Sequence, residues 1–189
     1  PSITKHTSNQ IYSILAGRND KIEQIKKSNK NVRVINLLEV DILASGKLAL
    51  DDKSLSTIDL AIVSIHSSFD QDEKTMTKRV LNGLSHSKAR ILAHPTGRLL
   101  NQRAGYNLNW KEIFEFCKKN HKVLEINAWP LRLDLPDVLV REAITKGVHL
   151  VIDTDGHEVS QMNLMKYGVA VARRGWATSE SIVNSWNWT

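Results

Sequence analysis

Ala89-Arg90-Ile91-Leu92-Ala93-His94-Pro95-Thr96-Gly97-Arg98 is the stretch whose reading decides the fold. Ile91 to Ala93 is a short apolar run of the kind that fills a buried strand. Pro95 has no N–H, so a hydrogen-bonded ladder has to stop there. A histidine is thereby set at the C-terminal end of a strand, with a turn at Gly97 and then Arg98. The arrangement recurs, because other apolar runs end at Glu39, His66, Asn127 and Asp155. One such histidine alone is as readily a simple strand cap. Repeated strands that deliver polar, mostly metal-competent side chains at the same end describe the mouth of a barrel.

The rest of the chain supports that reading. Val32 to Ile42 reads as a strand carrying Glu39 and Asp41 near its end, and Asp51 to Thr57 as a polar connector. Ile58 to Ile65 reads as a strand ending at His66-Ser67-Ser68. Asp70 to Leu84 reads as a helix with Met76, Val80, Leu81 and Leu84 on one side. Asn109 caps a helix running to about Asn120, with Glu112 three residues on as a capping box. Lys122 to Asn127 is a strand, and Pro136 starts a helix that ends near Gly147. Val148 to Ile152 is a strand leading into Asp153-Thr154-Asp155-Gly156-His157. Near the start, Ile11, Ile14, Leu15, Ile22 and Ile25 recur at helical spacing. Gly17 to Asp20 reads there as a break before a helix starting near Asp20. Toward the end, Val159 to Tyr167 reads as a helix, Gly168 to Ala172 as a last strand, and Thr178 to Trp186 as a helix. Strands alternating with helices give an α/β fold with a parallel sheet.

At 189 residues the chain can bury one good core, so a single domain spanning 1–189 is expected. No apolar run approaches the ~20 residues needed to cross a bilayer, so no membrane association is expected. The single cysteine, Cys117, excludes an internal disulfide and fits a reducing cytoplasm. The formal net charge of +6 is compatible with nucleic acid or another phosphate-bearing partner. The chain starts at Pro1 rather than Met, which suggests a fragment of something longer.

The chemistry lies in the strand ends. Glu39, His66, His94, Asp155 and His157 supply carboxylate and imidazole, the ligands suited to Zn, Mn or Fe. Asp155 and His157 are two apart, so in an extended segment they face the same way. The signal is placement rather than spacing. His86, His121 and His149 lie at turns or at the start of a strand and read as surface residues.

Taken together, these segments resemble a known family. Leu38-Glu39-Val40-Asp41-Ile42-Leu43, Ser64-Ile65-His66-Ser67, Ala93-His94-Pro95-Thr96-Gly97-Arg98-Leu99, Leu124-Glu125-Ile126-Asn127-Ala128, Arg132-Leu133-Asp134-Leu135 and Thr154-Asp155-Gly156-His157 look like successive motifs of the PHP (polymerase and histidinol phosphatase) domain. They are most similar to the PHP domain at the C-terminus of bacterial and archaeal family X DNA polymerases. Gly168 to Trp176 is similar to that subgroup too.

The resemblance implies a distorted (β/α)7 TIM-like barrel with up to three divalent metals at its C-terminal mouth. By resemblance, Glu39 bridges two metals, His66 and His94 complete one site with it, and Asp155 belongs to the other. His6 joins His157 at a third site. Lys5 stands where the family's motif has Asp. The family's opening strand, with its His-x-His pair, is expected before residue 1, so the barrel here lacks its first strand. That leaves Glu39–His66–His94 as the complete site and exposes a barrel edge through which a homodimer is expected. The implied activity is two-metal phosphoester hydrolysis at DNA 3′ ends, as an exonuclease or phosphatase. The alternative is a catalytically impaired PHP remnant serving as a structural or DNA-binding module.

Glu39, His66, His94, Asp155 and Arg98 are the expected catalytic set. Arg98 is read either as a phosphate grip or as a structural salt bridge, with Arg132 and Lys5 helping at the phosphate. Arg173-Arg174 reads as a contact to DNA phosphates or as a solvated basic turn. Trp129, Trp176, Trp186 and Trp188 read as stacking surfaces for bases or, for most of them, as helix packing.

Overall fold

The computed structural model describes residues 5–187. Five strands form one sheet in the order β1-β2-β3-β4-β5, with every neighbouring pair parallel. They are β1 (Leu37–Asp41), β2 (Leu60–Ser64), β3 (Ala89–Leu92), β4 (Val123–Asn127) and β5 (Leu150–Asp153). Six helices are seen among the described residues: α1 (Ser8–Ser28), α2 (Asp52–Leu55), α3 (Glu73–Ser85), α4 (Trp110–Lys119), α5 (Asp137–Thr145) and α6 (Met165–Arg174). The alternation is that of an α/β fold, and the sequential strand order is compatible with a barrel-like curvature.

The two faces of the sheet differ. Side chains alternate along a strand. Val40, Val63, Leu92, Leu124, Ile126 and Leu150 are buried in one core with Met76, Val80 and Leu84 of α3, Ile113 and Phe114 of α4, and Val140 of α5. The opposite face carries Leu37, Glu39, Ile62, Ile91, Ala93, Glu125, Val151 and Asp153, which line a cavity of about 360 Å³. Carboxylates from β1, β4 and β5 therefore share one partly apolar hollow.

Local signals explain the helix starts. Asp72 accepts a hydrogen bond from the Thr75 N–H, and Asn109 accepts one from Glu112 N–H, so α3 and α4 each begin on a side-chain cap. At the β5 edge, Ile182 pairs in parallel with Leu150. The Asn184 amide donates to Ile152 O at 2.7 Å and accepts from Ile152 N–H at 3.2 Å. A side chain thus completes the ladder that a further strand would otherwise supply. β1 forms the other edge, with no strand neighbour beyond β2 among the described residues.

Asp51 to Thr57 holds the short α2, Val159 to Leu164 is a 3₁₀ stretch ahead of α6, and three further segments differ more from the sequence-based expectation. Ser8 to Ser28 is one continuous helix, without a break at Gly17. Thr7 and Gln10 form a reciprocal capping box that fixes its start. Gly17 faces open space, with no atom within 4 Å of the position a Cβ would take, so its cost is only helix propensity. Gly168 to Ala172 belongs to α6 rather than to a strand. Its buried residues, Gly168, Val171 and Ala172, follow helical spacing, and a Cβ on Gly168 would fall 2.5 Å from Ile152 Cγ2. That glycine is there so that α6 can approach the sheet. The segment expected as a helix from Thr178 to Trp186 contains only the 3₁₀ turn Val183–Ser185, because it runs alongside β5 instead.

Candidate metal centre

The parallel register builds the centre. Glu39 of β1 pairs with Ile62 of β2, and Asp41 with Ser64, so His66 emerges two residues past the end of β2 beside the end of β1. Val63 pairs with Leu92, which places His94 two residues past β3 on the next position along. Glu39, His66 and His94 consequently offer one ligand atom each, all within 4.8 Å of one another. His94 Nε2 lies 3.0 Å from Glu39 Oε1, and His66 Nε2 lies 3.4 Å from the same oxygen. Among the described residues no other group of three or more metal-competent side chains assembles.

The chemistry of these contacts fits a cation. Asp41 Oδ1 is in a short hydrogen bond with His66 Nδ1. A carboxylate only accepts, so this contact places a ring proton on Nδ1 and turns Nε2 toward Glu39. A divalent ion bound there would take the place of any proton on Nε2 and be coordinated by both side chains. Two imidazoles and a carboxylate are the donors that Zn, Mn or Fe takes. Partial burial of Glu39 favours its neutral form, but the hydrogen bond and charge of His94, with His66 and Ser64, outweigh it and hold its pKa down to about 2. The carboxylate is therefore charged at any working pH. His94 is 1% exposed and its Nδ1 has no partner. Its backbone adopts φ 29°, in the left-handed region that a non-glycine residue enters at a cost. The Glu125 carboxylate accepts the His94 N–H, and His94 O accepts from Gly97 N–H at 2.8 Å, which together fix that conformation.

The remaining expected ligands are placed differently. Asp155, also at positive φ (48°), accepts from Asn127 Nδ2 at 3.2 Å and pairs with Arg132 Nε at 3.5 Å. It lines the same hollow as Glu39, Glu125 and Asp153 but is not part of the three-ligand group. His157 is exposed, with Nδ1 3.0 Å from Asp155 O. His6 is exposed on the other side, where it lines a separate cavity of about 240 Å³ with Leu15, Leu38 and Glu39. Lys5 is exposed.

The arginines sort by what they already hold. Arg98 donates through Nε to Arg132 O at 2.8 Å and through Nη2 to Leu133 O. Its guanidinium therefore ties two loops together through carbonyls. Arg132 has an Nη1 with no partner. Arg79, invisible as a site residue in the sequence, is 2% exposed. It donates to Ile42 O after β1 and, at 3.0 and 3.2 Å, to Ser67 O and Ser68 O after β2. It pins the loop that follows His66 to the strand that carries Glu39.

Sequence reasoning also passed over Glu125, which is buried, and Asp153, which lies half-buried beside it. Burial raises the pKa of both, well above the usual range for Glu125, where the charge of Asp153 adds to the cost, while a hydrogen bond from Glu125 partly offsets burial at Asp153. A charged residue set between Leu124 and Ile126 in an apolar strand was the available signal for Glu125. For Asp41 it was a position two residues after Glu39, hence on the same face. Of the histidines read as surface residues, His121 and His149 are exposed, while His86 is half-buried against Asp52 at 3.1 Å. Cys117 is buried, and burial pushes its thiol up to about 12. Trp188 lies outside the described residues.

The fold and the site together define a parallel α/β scaffold in which two histidines and a carboxylate that could hold a metal ion meet at the C-terminal end of the strands. Over 165 residues, 87% of the chain, the sequence is 40% identical to the DNA polymerase/3'-5' exonuclease PolX of Bacillus subtilis (strain 168). The matched region is 29% of that enzyme's length, so the chain is similar to less than a third of it. No family model matches the sequence. No helix among the described residues is long and apolar enough to cross a membrane.

Proposed function

We propose that this chain is a PHP-type, metal-dependent phosphoesterase that acts on DNA 3′ ends as one domain of a family X polymerase-like protein. The observation that carries the reading is the convergence of Glu39, His66 and His94 within 4.8 Å, at three successive strand ends. The similarity to a part of PolX, an enzyme named as a 3'-5' exonuclease, supports the choice of DNA ends as substrate. The strand order and the position of the site support a barrel of the (β/α)7 type, in which active sites sit at the C-terminal ends of the strands.

When bound, the metal would activate water and neutralise charge on the phosphoryl group. The protein's own residues do the rest. Glu39, His66 and His94 hold the cation, and Asp41 and the Arg79 clamp keep His66 aimed at it. Asp155, Asp153 and Glu39 give further oxygen donors in the same hollow. Arg132 is the cation with a donor to spare beside Asp155, and takes a phosphoryl oxygen. Arg98 serves by holding the Arg132 loop in place.

The test is an assay with manganese on a 3′-labelled oligonucleotide and on an aryl phosphate. Turnover that chelation abolishes, and that His66→Ala lowers at least about 100-fold, is the expected result. Equal turnover by the His66→Ala variant would exclude this centre. A second reading, a metal-binding remnant without activity, is favoured by one observation: Asp155 is engaged by Asn127 and Arg132 and stands outside the assembled group. Bound metal with no hydrolysis of either substrate would select it.

A further inference from the structure

We propose that the surface where the C-terminal end of α6 meets α5 binds single-stranded nucleic acid, with Trp176 as stacking platform and Arg141, Arg173 and Arg174 as phosphate contacts. This goes beyond the hydrolytic reading and does not depend on the metal centre. The starting observation is Trp176 itself. It is 67% exposed, in a conformation with φ 63° that a bulky side chain seldom adopts. A large ring held out in solvent on a costly backbone is not explained by packing in the core. One face is covered by Arg141, whose guanidinium carbon lies 3.6 Å from the ring centroid. A planar cation stacked on one face leaves the other open, and makes the ring a rigid, electropositive platform for a base.

The surroundings are built to match. A Cβ on Gly175 would collide with Val140 Cγ1 and fall 2.9 Å from Asp137 O, so only glycine lets α6 end this close to α5. That approach is what delivers Trp176 to Arg141. Arg174 is fixed by Asp137, with both Nε and Nη2 2.8 Å from Oδ2, yet its side chain remains 75% exposed. Arg173 is exposed beside it. Asp137 offsets one of the three arginines. From Val159 to Ser179 the chain has no acidic residue, while Lys166, Arg173 and Arg174 are basic. Tyr167 is a second exposed ring, seven residues before Arg174 on the same helix, and so about 10 Å along the same face. Exposed rings interleaved with arginines suit a flexible, polyanionic strand whose bases are free to stack.

The experiment is fluorescence anisotropy of a labelled oligo(dT) with the chain in EDTA, where no hydrolysis occurs. Trp176→Ala should weaken binding about tenfold, and Trp176→Phe should retain most of the affinity. Trp176→Gly relieves the left-handed backbone, so its thermal melt should be unchanged or raised while binding is lost equally. An abasic oligonucleotide should not distinguish Trp176→Ala from the parent. Arg173→Gln should lower the slope of log affinity against log salt by about 0.7. Manganese-dependent hydrolysis of a small aryl phosphate should be the same in all four variants. Unchanged oligo(dT) affinity in Trp176→Ala and Trp176→Gly would overturn the proposal. So would a change in oligomeric state by light scattering with oligo(dT) affinity intact, which would assign the surface to a protein contact. Loss of aryl-phosphate turnover in the parent with oligo(dT) binding still dependent on Trp176 would overturn only the hydrolytic reading.

Discussion

The two halves of the sheet's C-terminal end carry carboxylates in opposite electrostatic settings. On the β1–β3 side, Glu39 faces two imidazoles and is held down to about 2. On the β4–β5 side, Glu125 faces Asp153 and is pushed well above the carboxylate range. Both groups line the same hollow. The first half is a charged acceptor prepared for a cation. The second stores a proton because burial disfavours a charged Glu125 and the neighbouring Asp153 carboxylate disfavours it further. A cation is therefore expected first at Glu39, His66 and His94, with the acidic half filling only once positive charge has entered the hollow.

The sharpest way to break this contrast is to remove His94. His94→Ala should lower divalent metal affinity by more than about 100-fold by calorimetric titration, more than outer partners usually cost. A change within threefold would make the two halves equivalent. Arg79→Gln tests what holds the first half rigid. It strips donors from Ile42 O, Ser67 O and Ser68 O, all close to the ligands. Denaturant unfolding should show a loss of about 3 kcal/mol. A loss below about 1 kcal/mol would mean that the clamp is incidental.

Asp41→Asn sharpens the comparison further. The variant keeps the size of the side chain but can turn a donor toward His66 Nδ1, releasing the tautomer. Metal affinity should fall about 10- to 100-fold with stability nearly unchanged. The smallest expected effect lies in the second half. Glu125 has a folded-state pKa above its unfolded value, so the stability it allows is fully present below the unfolded value of about 4.3 and declines as pH rises through the folded one. Glu125→Gln removes that decline. In EDTA the variant should gain about 1 kcal/mol on the parent between pH 4 and pH 8. An opposite sign would show that Glu125 is charged in the folded protein.

Much of this was legible because chemistry and secondary structure share the same residues. Glu39, His66 and His94 each close an apolar run, and parallel pairing turns that common position into proximity. The sheet followed from the same runs, and α4 from the Asn109 cap. Other features depend on partners far away in the chain. Asp155 ends its run as expected, but Asn127 and Arg132 engage it. Arg98 follows His94 by four residues, yet carbonyls of the loop after β4 determine where it points. Val169 and Val171 alternate as in a strand, while burial of Gly168, Val171 and Ala172 against the sheet makes α6 a helix. In α1 the capping box outweighed one glycine, a contest that a break-at-glycine reading decides wrongly.

The most direct test of the metal centre is anomalous scattering from crystals equilibrated with manganese or zinc. The strongest peak is expected within bonding distance of Glu39, His66 Nε2 and His94, with Asp41 still on His66 Nδ1. A strongest peak among Glu125, Asp153 and Asp155, with none at the two histidines, would contradict it.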